Sequence, residues 1–220
     1  MSPRSKFDPA LIPEAPDLSY EHGLWAKGIR FVAGTDEAGR GALAGPVSAG
    51  VVILPKDPVI TARLHGLRDS KQLSPAERDS WASRLRETVL TSGVGFASSQ
   101  EIDVIGIVPA VRLAIRRALD CLSVAPEHLL VDFLTLPEIT TPQTALVKGD
   151  ARVLSIAAAS VLAKTARDAQ MLELDLCYPG YGFASNKGYG TQMHRDAIRV
   201  LGLSPVHRAS FHIHSKLSDM

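Results

Sequence analysis

Short apolar runs in this chain end in acids. Phe31-Val32-Ala33 leads through Gly34-Thr35 to Asp36-Glu37, His128-Leu129-Leu130-Val131 ends at Asp132, and Leu146-Val147-Lys148-Gly149 ends at Asp150. A carboxylate is costly to bury without a partner, so such a run reads as a core strand whose acid emerges at the edge of a sheet. Acids from several strands can converge there. Four convergent carboxylates repel one another unless a cation compensates them. Oxygen donors with no histidine or cysteine among them favour Mg²⁺ or Mn²⁺, and such a set suits a two-metal hydrolysis of a phosphodiester. Any one of these acids alone also reads as a turn or capping residue. Asp36 and Glu37 raise a further constraint: adjacent strand residues face opposite sides. Both can serve one site only if the chain bends, as Gly39 and Gly41 permit, or if Glu37 offers its backbone carbonyl.

The remaining pattern places these strands. Val47–Leu54 reads as a second strand buried on both faces, and Val94–Ser98 as a third. Ser74, Pro75 and Glu77 form an N-cap, a first-turn proline and a capping-box acid. Leu18–Gly28, Pro109–Leu122, Ser155–Leu176 and Gln192–Leu201 read as helices, and Ser99–Asp103 as a helical turn. Ala157, Ala158, Ala159, Ser160, Ala163 and Ala166 allow the long helix to lie close to a sheet. The order implies an α/β layered fold with a mixed sheet, its two early strands forming an antiparallel portion. Residues 1–18, rich in proline and polar groups, read as a mobile or loosely packed tail.

Charge excludes little, since 24 basic and 23 acidic residues nearly cancel. Cys121 and Cys177 sit in apolar helical patterns and read as buried free thiols in a reducing, cytoplasmic setting. The N-terminal residues lack a signal-peptide core and no run is long enough to span a membrane.

Several residues can grip a substrate. Gly39-Arg40-Gly41 can bring backbone groups and a guanidinium to a sugar-phosphate chain, though a simple turn fits equally well. Lys71 and Lys148 each read alone as solvated charges, and Lys148 gains weight two residues from Asp150. Tyr178, Tyr181, Phe183 and Tyr189 punctuate a glycine-rich loop; the first three read as packing residues. His207, Arg208, His212, His214 and Lys216 form a basic tail, either solvated or facing phosphate. Asp168 competes as a fourth acid, but it lies thirteen residues beyond Ser155 on the long helix, roughly 20 Å along its axis. Pairing with a nearby lysine or arginine is its plainer role.

Together GTDEAGRGALAGPV, LRDSKQLS, QEID, HLLVD, VKGD, SIAAASVLAKTARD, YGFASNKGYGT and HRASF resemble, in order, the motifs of the bacterial type 2 ribonuclease H family, over about Leu18 to Phe211. The resemblance implies a ribonuclease H-like mixed sheet flanked by helices with a C-terminal helical extension. It divides the chain into an N-terminal extension (1–28), a catalytic domain (29–185) and a C-terminal helical segment with a basic tail (186–220). It implies endonucleolytic cleavage of RNA in RNA–DNA hybrids and incision 5′ of single ribonucleotides in duplex DNA, leaving a 5′-phosphate and a 3′-hydroxyl. It assigns two Mn²⁺ or Mg²⁺ ions to Asp36, Glu37, Asp132 and Asp150, choosing Asp150 over Asp168. It assigns Gly39, Arg40 and Gly41 to the 2′-hydroxyl and Tyr189 to the junction. A monomer is the family's expectation. The chain departs from the family at Phe133, where glycine is usual, at Ile105-Gly106-Ile107, where LNI is usual, and after Ser210-Phe211, where a proline is usual. A structure-specific DNA nuclease of the same fold and a non-catalytic hybrid-binding protein are the alternative readings.

Overall fold

The computed structural model describes residues 7, 8, 10 and 12–211. Its sheet has five strands, β1 (Val32–Ala38), β2 (Val47–Ile53), β3 (Thr91–Ala97), β4 (His128–Asp132) and β5 (Gln143–Leu146), in the order β3-β2-β1-β4-β5. Parallel pairing joins β1 to β4 and β4 to β5. Every residue of β2 is buried, as its continuous apolar run requires. The helices are α1 (Ser19–Ala26), α2 (Ile60–Arg63), α3 (Pro75–Thr88), α4 (Ser99–Ile105), α5 (Ile107–Asp120), α6 (Leu154–Cys177), α7 (Phe183–Asn186) and α8 (Gln192–Leu201). No helix among the described residues is long and apolar enough to cross a membrane.

Local chemistry explains several boundaries. At α3 the Glu77 N–H donates to Ser74 Oγ at 3.3 Å, and the Ser74 N–H donates to Glu77 Oε2 at 2.7 Å. Ser98 and Glu101 repeat the box at α4. Gly106, one of the departures from the family pattern, has φ +83° and separates α4 from α5. That break explains why Ile105 and Ile107 end and begin different helices. Short pieces that carry no long apolar period, α2 and the 3₁₀ turns Ser70–Gln72 and Gly149–Ala151, escape a sequence reading.

The chain resolves into two compact units that alternate along the sequence. One comprises residues 1–36, 51–92 and 123–161; the other comprises 37–50, 93–122 and 162–220. In the first, α6 begins on β1. A Cβ on Gly34 would stand 2.3 Å from the Ser155 carbonyl carbon and 2.5 Å from the Ile156 nitrogen, so only glycine fits under this helix. Buried Glu21 of α1 accepts the Ser155 N–H at 3.0 Å, and the Asp17 carbonyl accepts that of Leu154 at 2.9 Å. The loose tail expected over residues 1–18 is therefore pinned at its end: Asp17 bridges Val153 and Leu18 is buried. Residues 1–6, 9 and 11 of that tail lie outside the described residues.

In the second unit Met171, Tyr181, Phe183 and Ile198 form a core with Ala44. Tyr181 and Phe183 stack with centroids 5.4 Å apart, the packing role read from sequence. Two expectations are corrected. Cys121 and Cys177 are free but exposed, because one follows the last turn of α5 and the other ends α6. His207 and Arg208 are buried rather than part of a solvated or phosphate-facing tail. The chain returns there to the interior, where the carbonyls of Gly45 and Arg40 accept from Nε and Nη1 of the Arg208 guanidinium. His212, His214 and Lys216 lie outside the described residues.

Candidate active site

Parallel register brings the first acids together. Thr35 pairs with Val131, so the next step sets Asp36 opposite Asp132 on the neighbouring strand, about 4.8 Å away and on the same face. Asp132 in turn pairs with Leu146, the last residue of β5. From there the chain turns through Lys148, with φ +55°, into the Gly149–Ala151 turn that carries Asp150. The Gly149 N–H donates to Asp132 Oδ1 at 2.7 Å, tying the two loops. Asp36 and Asp150 are buried.

Lys71 supplies the positive charge of this cluster. Its ammonium donates to Asp150 Oδ2 at 2.8 Å and lies 3.7 Å from Asp69 Oδ2. Burial opposes its charge, but Asp150, Asp69 and Asp36 overcome that and raise its pKa above the ordinary lysine value. Burial, followed by the charge of Asp150, pushes the Asp69 carboxyl up, against the Lys71 N–H that it accepts. Asp69 was missed from sequence because its capping role in the Ser70–Gln72 turn is all that its neighbours signal. Lys148 is exposed. Among the described residues, no three His, Cys, Asp or Glu side chains are grouped as a ready-made ion cage.

The second unit holds the other candidates. Glu37 follows Asp36 within β1, and its Oε1 pairs with Arg40 Nη1 at 3.0 Å. Gly39 has φ +93°, and a Cβ there would stand 1.9 Å from Arg167 Nε. Arg167 is fully buried on α6; it donates to the carbonyls of Pro46 at 2.9 Å, Lys187 at 2.9 Å and Ala44 at 3.2 Å. Arg208, equally buried, donates to the carbonyls of Gly45 and Arg40, each at 3.0 Å. Burial lowers the pKa of both arginines, and this ring of carbonyls compensates the desolvated charge. Arg208 thus holds the Arg40 carbonyl, while Arg167 packs against Gly39 and holds the carbonyls of Ala44 and Pro46 just beyond the loop.

Tyr189 sits at the same loop. Lys164 Nζ lies 5.8 Å and Arg167 Cζ 5.4 Å from its ring centroid, and the ring is partly exposed. Asp168 pairs with Lys164 at 2.6 Å, the role expected for it. Behind Tyr189 a histidine relay runs in one direction. The Ser204 N–H donates to His207 Nδ1 at 2.9 Å, so the neutral ring carries its proton on Nε2. That proton points to His194 Nε2 at 3.1 Å, and His194 Nδ1–H donates to the Tyr189 carbonyl at 3.0 Å. Sequence reading missed Arg167, His194 and this role of His207, since nothing local marks a buried polar group that acts across the fold.

The sequence pattern of the Ribonuclease HII family matches residues 33–214. A ribonuclease HII of Synechococcus sp. (strain JA-3-3Ab) is 53% identical over 198 residues, covering 89% of this chain and 88% of its own. One from Geobacillus kaustophilus (strain HTA426) is 51% identical over 194 residues, covering 88% and 73%. Among solved structures, ribonuclease H2 from Pyrococcus horikoshii OT3 superposes with a TM-score of 0.69 at 26% identity, over 85% of this chain and 96% of that one. The mixed sheet flanked by helices, with its C-terminal helical region, is the fold of that neighbour. With the motif order, the sheet and the acid-bearing strand ends in agreement, this chain belongs to the ribonuclease HII family, the endoribonucleases that cleave RNA in RNA–DNA hybrids and ribonucleotides within DNA.

Proposed function

We propose that Asp36, Glu37, Asp132 and Asp150 hold two Mg²⁺ or Mn²⁺ ions at a scissile phosphate and that the enzyme incises 5′ of a single ribonucleotide embedded in duplex DNA. The observation that carries this reading is the register that sets Asp36 opposite Asp132, with Asp150 tied to Asp132 through Gly149. The donor set fits hard divalent ions: it is all oxygen, two of its acids are buried, and Asp150 already binds the ammonium of Lys71 within the field of Asp36. Bound ions would supply positive charge to the phosphate and lower the pKa of the attacking water. Lys71 orients Asp150 and adds a cation toward the phosphate, and Lys148 offers an exposed ammonium beside it. Bst-RNase HIII, a neighbour in fold, is solved in complex with Mn²⁺, which supports manganese as one ion to test.

Selectivity has to come from the 2′-hydroxyl, the group that tells RNA from DNA at that bond. Gly39, Arg40 and Gly41 are assigned to it, because buried Arg208 holds the Arg40 carbonyl and Arg167 packs against Gly39. Tyr189 is assigned to the sugar or base at the junction, on its partly exposed ring. Residues 29–185 then act as the catalytic body, and 186–220 as the segment that adds Tyr189. The enzyme works as a cytoplasmic monomer in this reading.

One assay tests the whole. Duplex DNA with one internal ribonucleotide should be cut in Mg²⁺ or Mn²⁺, with EDTA and an all-DNA control giving no product. Asp150→Asn should abolish cutting with the circular-dichroism spectrum retained; an active Asp150→Asn enzyme would remove the acid assignment. Cleavage of branched all-DNA substrates instead would favour a structure-specific DNA nuclease of this fold.

A further inference from the structure

Phe133 follows Asp132 directly, and its position is unusual for a phenylalanine. Its φ is +60°, and its side chain is 62% exposed. The Leu134 N–H closes a three-residue turn onto the Asp132 carbonyl at 2.6 Å, while the Phe133 N–H donates to the Leu146 carbonyl at 2.9 Å. A bulky L-residue is strained at positive φ, where glycine is not. Burial of the ring would be the ordinary offset, yet the ring faces mostly solvent. Strain kept at a residue that adds little to the core points to use at a site.

A second residue has the same character. Lys148 also has positive φ, +55°, is exposed, and stands just before Gly149-Asp150. Because the Gly149 N–H bonds the Asp132 carboxylate, the turn that raises the aromatic ring and the turn that raises the ammonium are joined through the acids between them. An exposed ring and an exposed cation, on the two linked turns that flank Asp132 and Asp150, match one kind of chemistry: a base or sugar face next to a phosphate.

We propose that Phe133 is a substrate-contact residue that stacks on a nucleotide of the nucleic-acid strand beside the scissile phosphate, with Lys148 on an adjacent phosphate. This rests on the assignment of Asp132 and Asp150 as catalytic acids. Every base presents a π face, so the contact adds affinity without demanding a sequence.

The test turns on stability and binding moving in opposite directions. Phe133→Gly relieves the strain and should raise Tm by about 2–4 °C. It should nevertheless weaken binding of ribonucleotide-containing duplex about tenfold, equal to about 1.4 kcal/mol, with the loss carried mainly by KM. Phe133→Trp should bind like the parent, and Phe133→Leu like the glycine variant. Parental affinity in Phe133→Gly would overturn the proposal. So would parental affinity in Phe133→Leu, which would leave only an apolar contact, or a change confined to self-association by sedimentation. Asp150→Asn, assayed beside them, separates the two levels. If it still cuts, the acid assignment fails; if it is inert while Phe133→Gly binds normally, only the stacking role fails.

Discussion

Acidification should loosen the segment behind Tyr189 through His207. Burial, aided by the neighbouring His194, depresses the His207 pKa from its ordinary 6.5 to about 4. His194 shifts in the same direction by burial. The bonding explains why: His207 Nδ1 accepts the Ser204 N–H and Nε2 faces His194, while Tyr181 and Phe183 pack on the ring at 4.9 and 5.6 Å between centroids. A second proton would collide with the Ser204 donor and add charge in an apolar setting. A depressed folded-state pKa means that the unfolded chain binds the proton first. Stability is then full above about pH 6.5 and falls as pH drops toward 4. From about pH 7.5 to about pH 5, this one group removes about 2 kcal/mol, or about 4–8 °C in Tm for a chain of this size.

Other groups titrate over the same range, so a difference between variants isolates the histidine. Burial raises the carboxyl pKa of Glu21 and Asp69, and such groups gain stability as pH falls, opposite in sign to His207. His207→Gln keeps a donor toward His194 without a titrating proton. Urea unfolding at the two pH values should show the variant losing about 2 kcal/mol less than the parent. Parallel pH profiles for the two proteins would refute the reasoning, whatever their absolute stabilities.

Two further expectations concern the loop in the second unit. Gly39→Ala forces a Cβ to within 1.9 Å of Arg167 Nε at φ +93°; it should cost about 3–5 kcal/mol from the strained backbone and the displaced charged hydrogen bonds, measured by denaturant unfolding. Gly41→Ala meets nothing within 4 Å and should unfold like the parent; equal stability of both variants would remove Arg167 as the reason for Gly39. Tyr189→Ala should slow incision at a lone ribonucleotide by about 1–3 kcal/mol, with little effect on binding of plain duplex, and equal loss on both would remove its junction role.

Legibility from sequence followed the range of the interactions. The Ser74-Pro75-Glu77 cap, the apolar period of Gln192–Leu201 and the all-buried run of β2 are local signals, and each marked its element closely. The positions of Asp36, Asp132 and Asp150 at or just beyond strands were legible because each closes a short apolar run, although each alone also reads as a turn or capping residue. What supports them was not. Arg167 reads as one more charge on a helix, yet it is fully buried against three carbonyls brought from residues 44, 46 and 187. His207 and Arg208 read as tail because composition cannot show a chain re-entering the interior. Cys121 and Cys177 lie at helix ends, where an apolar neighbourhood in sequence does not imply burial.

The repulsion built into Asp36-Glu37 also takes a different form in the fold. Each acid meets its own cation: Asp36 shares the field of Lys71 with Asp69 and Asp150, while Glu37 is paired with Arg40. The pair is therefore compensated within the protein. On the proposed assignment, substrate and ions would compete with two resident cations rather than relieve a bare charge. On the proposed metal assignment, an ion beside Asp150 would displace Lys71, whose side chain is 72% exposed, and free it for a phosphate. Arg40, whose side chain is 41% exposed, would do the same for Glu37. Such an exchange would hold the acids in place before substrate arrives and would leave both cations to meet the phosphates that come with it.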